Sequence, residues 1–156
     1  MSFKNILCYG TLNPDLIYFV DELPKKGDDI RSSNSSIRPG GTAINCSELI
    51  SLWNKSVHVR GNSIGSDPLG NYLVNYLKEN NINFDDLIIS KSLTPTCSIF
   101  VDSSGERTIV SSGYEILEWS NFENLNNFDS LILDRYSIKF IKDELKNLKK
   151  LYNVFV

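Results

Sequence analysis

The chain has 156 residues, 41% hydrophobic and 22% charged, a composition that builds one globular core and argues against disorder. Its formal charge of -3, without a basic stripe, excludes nucleic acid as a main partner and gives a membrane surface no support. No apolar run approaches the ~20 residues of a membrane span, and one histidine, His58, is too small a ligand stock for a His/Cys metal site.

Residues 5–9, NILCY, predict a buried strand ending at Gly10. The segment MSFKNILCYG has no extended h-region or cleavage pattern, so it reads as that strand and not as a signal peptide. Residues 16–20 and 30–37 read as extended segments joined by turn chemistry at Pro24 and Gly27. The second is too polar for a core strand and suits a strand with one wet face. Residues 42–53 predict a helix whose inward stripe is Cys46, Leu49, Ile50 and Trp53.

A strand follows at 56–61. Asp67 then suits an N-cap, with Pro68 in the first turn and Leu69, Leu73, Tyr76 and Leu77 on one face. LIIS at 87–90 predicts a short strand. TCSIFVD and RTIVSS flank SSGE as a hairpin. SLILD at 130–134 is a further buried strand, and 138–149 an amphipathic helix with Ile138, Ile141, Leu145 and Leu148 inward and its lysines mostly solvated. The final YNVFV reads as a strand beginning. Helices between apolar strands argue for a mostly parallel sheet with crossover connections. The polar segments at 16–37 and 96–112 break that rhythm and read as a second, smaller sheet.

Four features carry candidate chemistry. Gly40-Gly41 stands at a loop-to-helix junction, where glycine permits positive φ and close approach of a ligand to the main chain. The helix beyond offers N–H groups and a positive dipole end, and the amide of Asn45 in its first turn suits a polyhydroxylated ligand. A tight turn with a local cap explains the same residues. Asn13 and Asp15 follow the first strand, where ligands gather in parallel α/β sheets. A carboxylate there can accept from two hydroxyls, although Asn-Pro-Asp is also plain turn chemistry. GSDPLG at 65–70 reads as a sharp turn into a capped helix. Arg107, after the hairpin, is either an anion contact or a surface residue. The odd cysteine count (Cys8, Cys46, Cys97) fits a reducing, cytoplasmic setting.

Together these residues carry a resemblance. PGGTAINCSELISLWNKSVHVRGNSIGSDPLGNYL resembles the N-terminal signature of the ribokinase-like, or pfkB, carbohydrate kinases: the glycine pair, an Asn five residues after its first member, and a later G-x-D-x-x-G. LNPD matches the position of that family's substrate-binding Asp. TPTCSIFVDSSGERTIV is similar to its second pair of lid strands, most like the ketohexokinase and sulfofructose-kinase branch. The resemblance implies a Rossmann-like α/β/α three-layer sandwich with a small β lid. Residues 1–156 would be the N-terminal part of one kinase domain, with lid segments at about 11–38 and 95–113. It implies that Asn13, Asp15, Gly40, Gly41 and Asn45 bind the sugar and that Arg107 contacts phosphate. It also implies ATP and Mg2+ as cofactors and a homodimer contact through the lid.

The chain departs from the family in lacking a D-T-x-G-A-G-D-like stretch, whose last Asp is the base in relatives, so no catalytic residue is assigned within it. Thr42 stands where the ketohexokinase-like pattern often has Asn, which leaves the sugar open. Nothing is drawn from DRY at 134–136. Two functions are compatible with this reading. One is the sugar-binding half of an ATP-dependent carbohydrate kinase, inactive alone. The other is a non-catalytic sugar-binding or dimerising module. The strand-like end at YNVFV favours the half-kinase, because it leaves a parallel sheet unfinished.

Overall fold

The computed structural model describes residues 4–141, Leu148 and residues 153–155. In chain order the elements are β1 (Asn5–Gly10), β2 (Asn13–Phe19), β3 (Asn34–Gly40), α1 (Thr42–Ser51), β4 (Ser56–Gly61) and β5 (Ile64–Gly65). There follow α2 (Pro68–Glu79), β6 (Ile89–Ser90), β7 (Thr96–Val101), β8 (Arg107–Ser112), β9 (Ser130–Leu133) and β10 (Asn153–Phe155).

The main sheet is parallel throughout, in the order β10-β9-β1-β4. Because side chains alternate along a strand, β1 feeds two cores. Ile6 and Cys8 join Val57, Val59, Ala43, Ile44, Leu73 and Leu77 on the face that carries α1 and α2. Leu7 and Tyr9 join Leu131, Leu133, Leu125, Phe128, Ile141 and Leu148 on the other. The sheet is therefore covered on both sides, as near-continuous apolar strands require.

A second four-stranded sheet, β3-β2-β7-β8, stands off the ends of the first. It is mixed: β2 pairs antiparallel to β3 and parallel to β7, and β7 pairs antiparallel to β8. The β7–β8 turn is held by Asp102, whose Oδ1 accepts from Ser104 N, Ser104 Oγ and Glu106 N.

Several elements differ from the sequence expectation. Asn13–Asp15 is not a turn: β2 starts at Asn13, and Pro14 lies opposite Pro39 of β3. The extended segment expected at 30–37 is strand from Asn34 to Gly40, and the one expected at 87–90 reduces to Ile89–Ser90. The α1 face is rotated. Ala43, Ile44, Ser47 and Ile50 are buried, while Leu49 and Trp53 are 55% and 67% exposed. Both stripes have helical spacing, and the one bearing small Ala43 and Ser47 lets α1 lie close on the sheet. Of the helix expected at 138–149, Ile138–Phe140 forms a 3-10 turn, and Ile141 and Leu148 are buried as expected. Residues 142–147 and 149–150, with Leu145 and the four lysines Lys142, Lys146, Lys149 and Lys150, lie outside the described residues.

Candidate functional site

The site lies where β1 ends and the second sheet begins. Gly10 closes β1, and Thr11 follows as a junction residue with every polar group engaged. Its N–H and Oγ1 both donate to Asp134 Oδ2, at 2.8 and 3.0 Å. Its carbonyl accepts from Ala43 N at 3.1 Å and its Oγ1 accepts from Thr42 N at 3.3 Å. Thus the first N–H groups of α1, read from sequence as open to a ligand, are capped by Thr11. Asp134 is 5% exposed and also accepts from Ser137 N at 2.7 Å. Asn62, fully buried, pins Leu12 through both ends of its amide: Leu12 N donates to Oδ1 and Nδ2 donates to Leu12 O. The strand-to-strand bend at 11–12 is therefore rigid.

That bend delivers Asn13 and Asp15 to the start of β2. Asn13 Nδ2 donates to Asp15 Oδ1 at 2.7 Å, and Tyr114 Oη donates to Asn13 Oδ1 at 2.9 Å. Partial burial raises the Asp15 carboxyl pKa above its ordinary value, and the Asn13 hydrogen bond opposes the rise.

The glycine pair makes room for the protein's own atoms. A Cβ on Gly40 would overlap the Asp15 carboxylate, and a Cβ on Gly41 would overlap the Thr11 carbonyl. Gly41 also has φ 85°, a left-handed conformation that glycine adopts without strain. Gly40 is buried beneath Asp15; Gly41 lies on the wall of the cleft.

The cleft itself holds about 950 Å³, within the range of small-molecule sites. Asn13, Asp15, Gly41 and Asn45 line its inner end with Thr11 and Tyr114. One face of the second sheet forms its roof in transverse rows. Arg38, Asp15, Cys97 and Ser111 make the inner row, Ser36, Ile17, Ile99 and Ile109 the next. Arg107 is in the third row with Phe19 and Val101. From Ser111 to Arg107 is four residues along β8, about 13 Å, so Arg107 faces a different part of any ligand than Asp15 does. The structure thus brings Asn13, Asp15, Gly41 and Asn45 together, sets Gly40 as their support and puts Arg107 at the far end.

Sequence reading missed Thr11, Asn62, Tyr114 and Asp134. The DRY run held one of them, but no local pattern reveals that Asp134 reaches back 123 residues to Thr11. Among the described residues, no group of three or more His, Cys, Asp or Glu side chains is arranged to hold a metal ion.

Comparison with known proteins gives a consistent result. The family model described as pfkB family carbohydrate kinase matches residues 4–150. The chain is similar to a ribokinase of Dictyostelium discoideum, 28% identical over 111 residues, which covers 70% of this chain and 35% of that protein. It is also similar to a ketohexokinase of Mus musculus, 28% identical over 149 residues, covering 94% of this chain and 48% of that one. Its fold matches the ribokinase from Cryptococcus neoformans in complex with ADP at a TM-score of 0.81, with 20% identity, over 99% of this chain and 49% of that one. The Arabidopsis thaliana ribokinase complexed with ribose and ATP matches at 0.79, with 19% identity, over 98% of this chain and 53% of that one. The fold is therefore ribokinase-like, and the chain spans roughly half the length of most of these relatives.

Proposed function

The chain belongs to the pfkB family of carbohydrate kinases, and on that premise we propose that it forms the sugar-binding half of an ATP-dependent carbohydrate kinase. The observation that carries this reading is the ordered Asp15 carboxylate at the inner end of the cleft. Its Oδ1 is held by Asn13, and Oδ2 accepts no hydrogen bond from the described residues. An ionised carboxylate so placed accepts strongly from a sugar hydroxyl. Asn45, exposed on the first turn of α1 and lining the same end, supplies both a donor and an acceptor.

The roof rows suit a bound sugar as well: polar groups lie nearest Asp15, and Ile17, Ile99 and Ile109 present an apolar surface further out. Arg107, at the far end, would contact the phosphate of a donor nucleotide; its guanidinium suits an anion, and the similar Cryptococcus neoformans ribokinase is in complex with ADP. The described residues offer no carboxylate cluster for Mg2+. The segments at 11–38 and 95–113, with the strands of the second sheet, would act as a lid over the sugar. Three free thiols, Cys8, Cys46 and Cys97, support a reducing, cytoplasmic setting.

Calorimetric titration of the chain with D-ribose and D-fructose, without nucleotide, tests the reading. At least one sugar should bind, and Asp15→Ala should weaken that binding about tenfold or more while circular dichroism stays unchanged. Binding indifferent to Asp15→Ala, or no binding of either sugar, would remove Asp15 as the sugar anchor.

A further inference from the structure

Tyr114 opens the 3-10 turn Tyr114–Ile116 after β8, preceded by left-handed Gly113, φ 81°. Its hydroxyl lies between two groups from other strands. On one side it donates to Asn13 Oδ1 at 2.9 Å; on the other it lies 3.6 Å from Cys97 Sγ, itself 3.5 Å from Ser111 Oγ. Asn13 is 2% exposed, so its protein partners, not bulk water, set the orientation of its amide. The amide has one oxygen and one NH2 group. With the tyrosine proton on the oxygen, the NH2 must face Asp15, where it donates at 2.7 Å. The opposite orientation would aim a carbonyl oxygen at a carboxylate.

We infer that Tyr114 is a positioning residue for Asp15: its hydroxyl fixes the Asn13 amide, which immobilises one carboxylate oxygen and leaves the other for the ligand. The same contact ties the turn that follows β8 to the first residue of β2, so it closes the base of the second sheet around the site. Burial first, and the Cys97 contact second, push the Tyr114 hydroxyl pKa far upward, so the group stays a donor at working pH. The functional consequence rests on the sugar-binding reading above; the hydrogen-bonded relay does not.

The experiment is a carbon-detected NMR titration of the Asp15 carboxyl in the whole chain. The charged and titratable side chains facing this end of the cleft are Arg38, Cys97, Tyr114, Tyr136 and Lys139, all present in every variant except as stated. Tyr114→Phe keeps the ring and removes the hydroxyl. It should raise the Asp15 midpoint by at least about half a pH unit, since a loosened Asn13 no longer favours the charged form. On an Asn13→Ala background the same change should add nothing, because the relay is already cut. A merely structural role for Tyr114 would lower Tm and leave both titrations alone.

Should a variant not fold, the unsubstituted chain still decides: the Asn13 side-chain amide protons must titrate with the Asp15 midpoint. An unmoved midpoint in Tyr114→Phe, full additivity with Asn13→Ala, or amide protons that ignore Asp15 each overturn the inference. For whichever of D-ribose or D-fructose binds, Tyr114→Phe should weaken Kd about 3- to 10-fold, and an unchanged Kd overturns the positioning role. If neither sugar binds while the titrations behave as expected, the relay stands and only the sugar reading fails.

Discussion

At Gly40 and Gly41 adjacent glycines serve different ends, and substitution should separate them. Gly40 has no positive φ; what forbids a side chain is the Asp15 carboxylate resting over it. Gly40→Ala should therefore displace Asp15 at a stability cost of about 1–3 kcal/mol, with sugar affinity falling about tenfold. At Gly41 the obstacle is backbone: φ 85° and the Thr11 carbonyl. Gly41→Ala should strain the turn and break the Thr11 cap on α1, costing more stability, about 2–4 kcal/mol. Denaturant unfolding together with calorimetric binding checks the pair: the first variant should lose mainly affinity, the second mainly stability. Equal losses of both would mean that Asp15 and the turn move as one unit.

Among the elements, α2 was the most legible and α1 the least. The Asp67 carboxylate caps α2 by accepting from Gly70 N at 2.8 Å, and it also accepts from Thr94 N at 2.7 Å and Thr94 Oγ1 at 2.8 Å. The first interaction is local, so Asp-Pro announced it; the others join α2 to the segment before β7 and were invisible in sequence. Burial alone would raise the Asp67 pKa, but the hydrogen bonds it accepts outweigh this and hold it below the usual carboxylate range. A depressed folded-state pKa contributes stability above the unfolded value of about 3.9, and that stability is lost as pH falls through the folded value. Asp67→Asn should accordingly be less stable than the parent near neutrality, by about 1–2 kcal/mol, with the difference shrinking below about pH 4. Thermal unfolding across that range measures it, and a constant difference would exclude the charge as the cause. By contrast, α1 carries two apolar stripes of equal period. Its rotation is fixed by Thr11, which receives the N–H groups of Thr42 and Ala43, a contact no helical periodicity encodes.

For the whole molecule, the outer rows of the cleft roof remain notable. Ile109 is 50% exposed and Phe19 40%, beside Ile17 and Ile99 in the same sheet face. The homodimer through the lid that the family resemblance implies would cover an apolar face of this kind. Sedimentation should show a dimer that Ile109→Lys converts to monomer; a monomeric parent would discard the dimer. By itself the sequence determined the parallel apolar strands, the polar second sheet, the α2 cap and the family, and it singled out the carboxylate and amides of the candidate site. These features are written in short-range pattern: alternation, caps and a contiguous signature that local physics reads directly. Only the tertiary structure decided which stripe of α1 is buried, that the two glycines accommodate Asp15 and Thr11, and that Asp134, Asn62 and Tyr114 hold the site in place. Each of those depends on groups tens of residues apart meeting at a strand end, and pairwise contact at that range leaves no periodic trace in the chain.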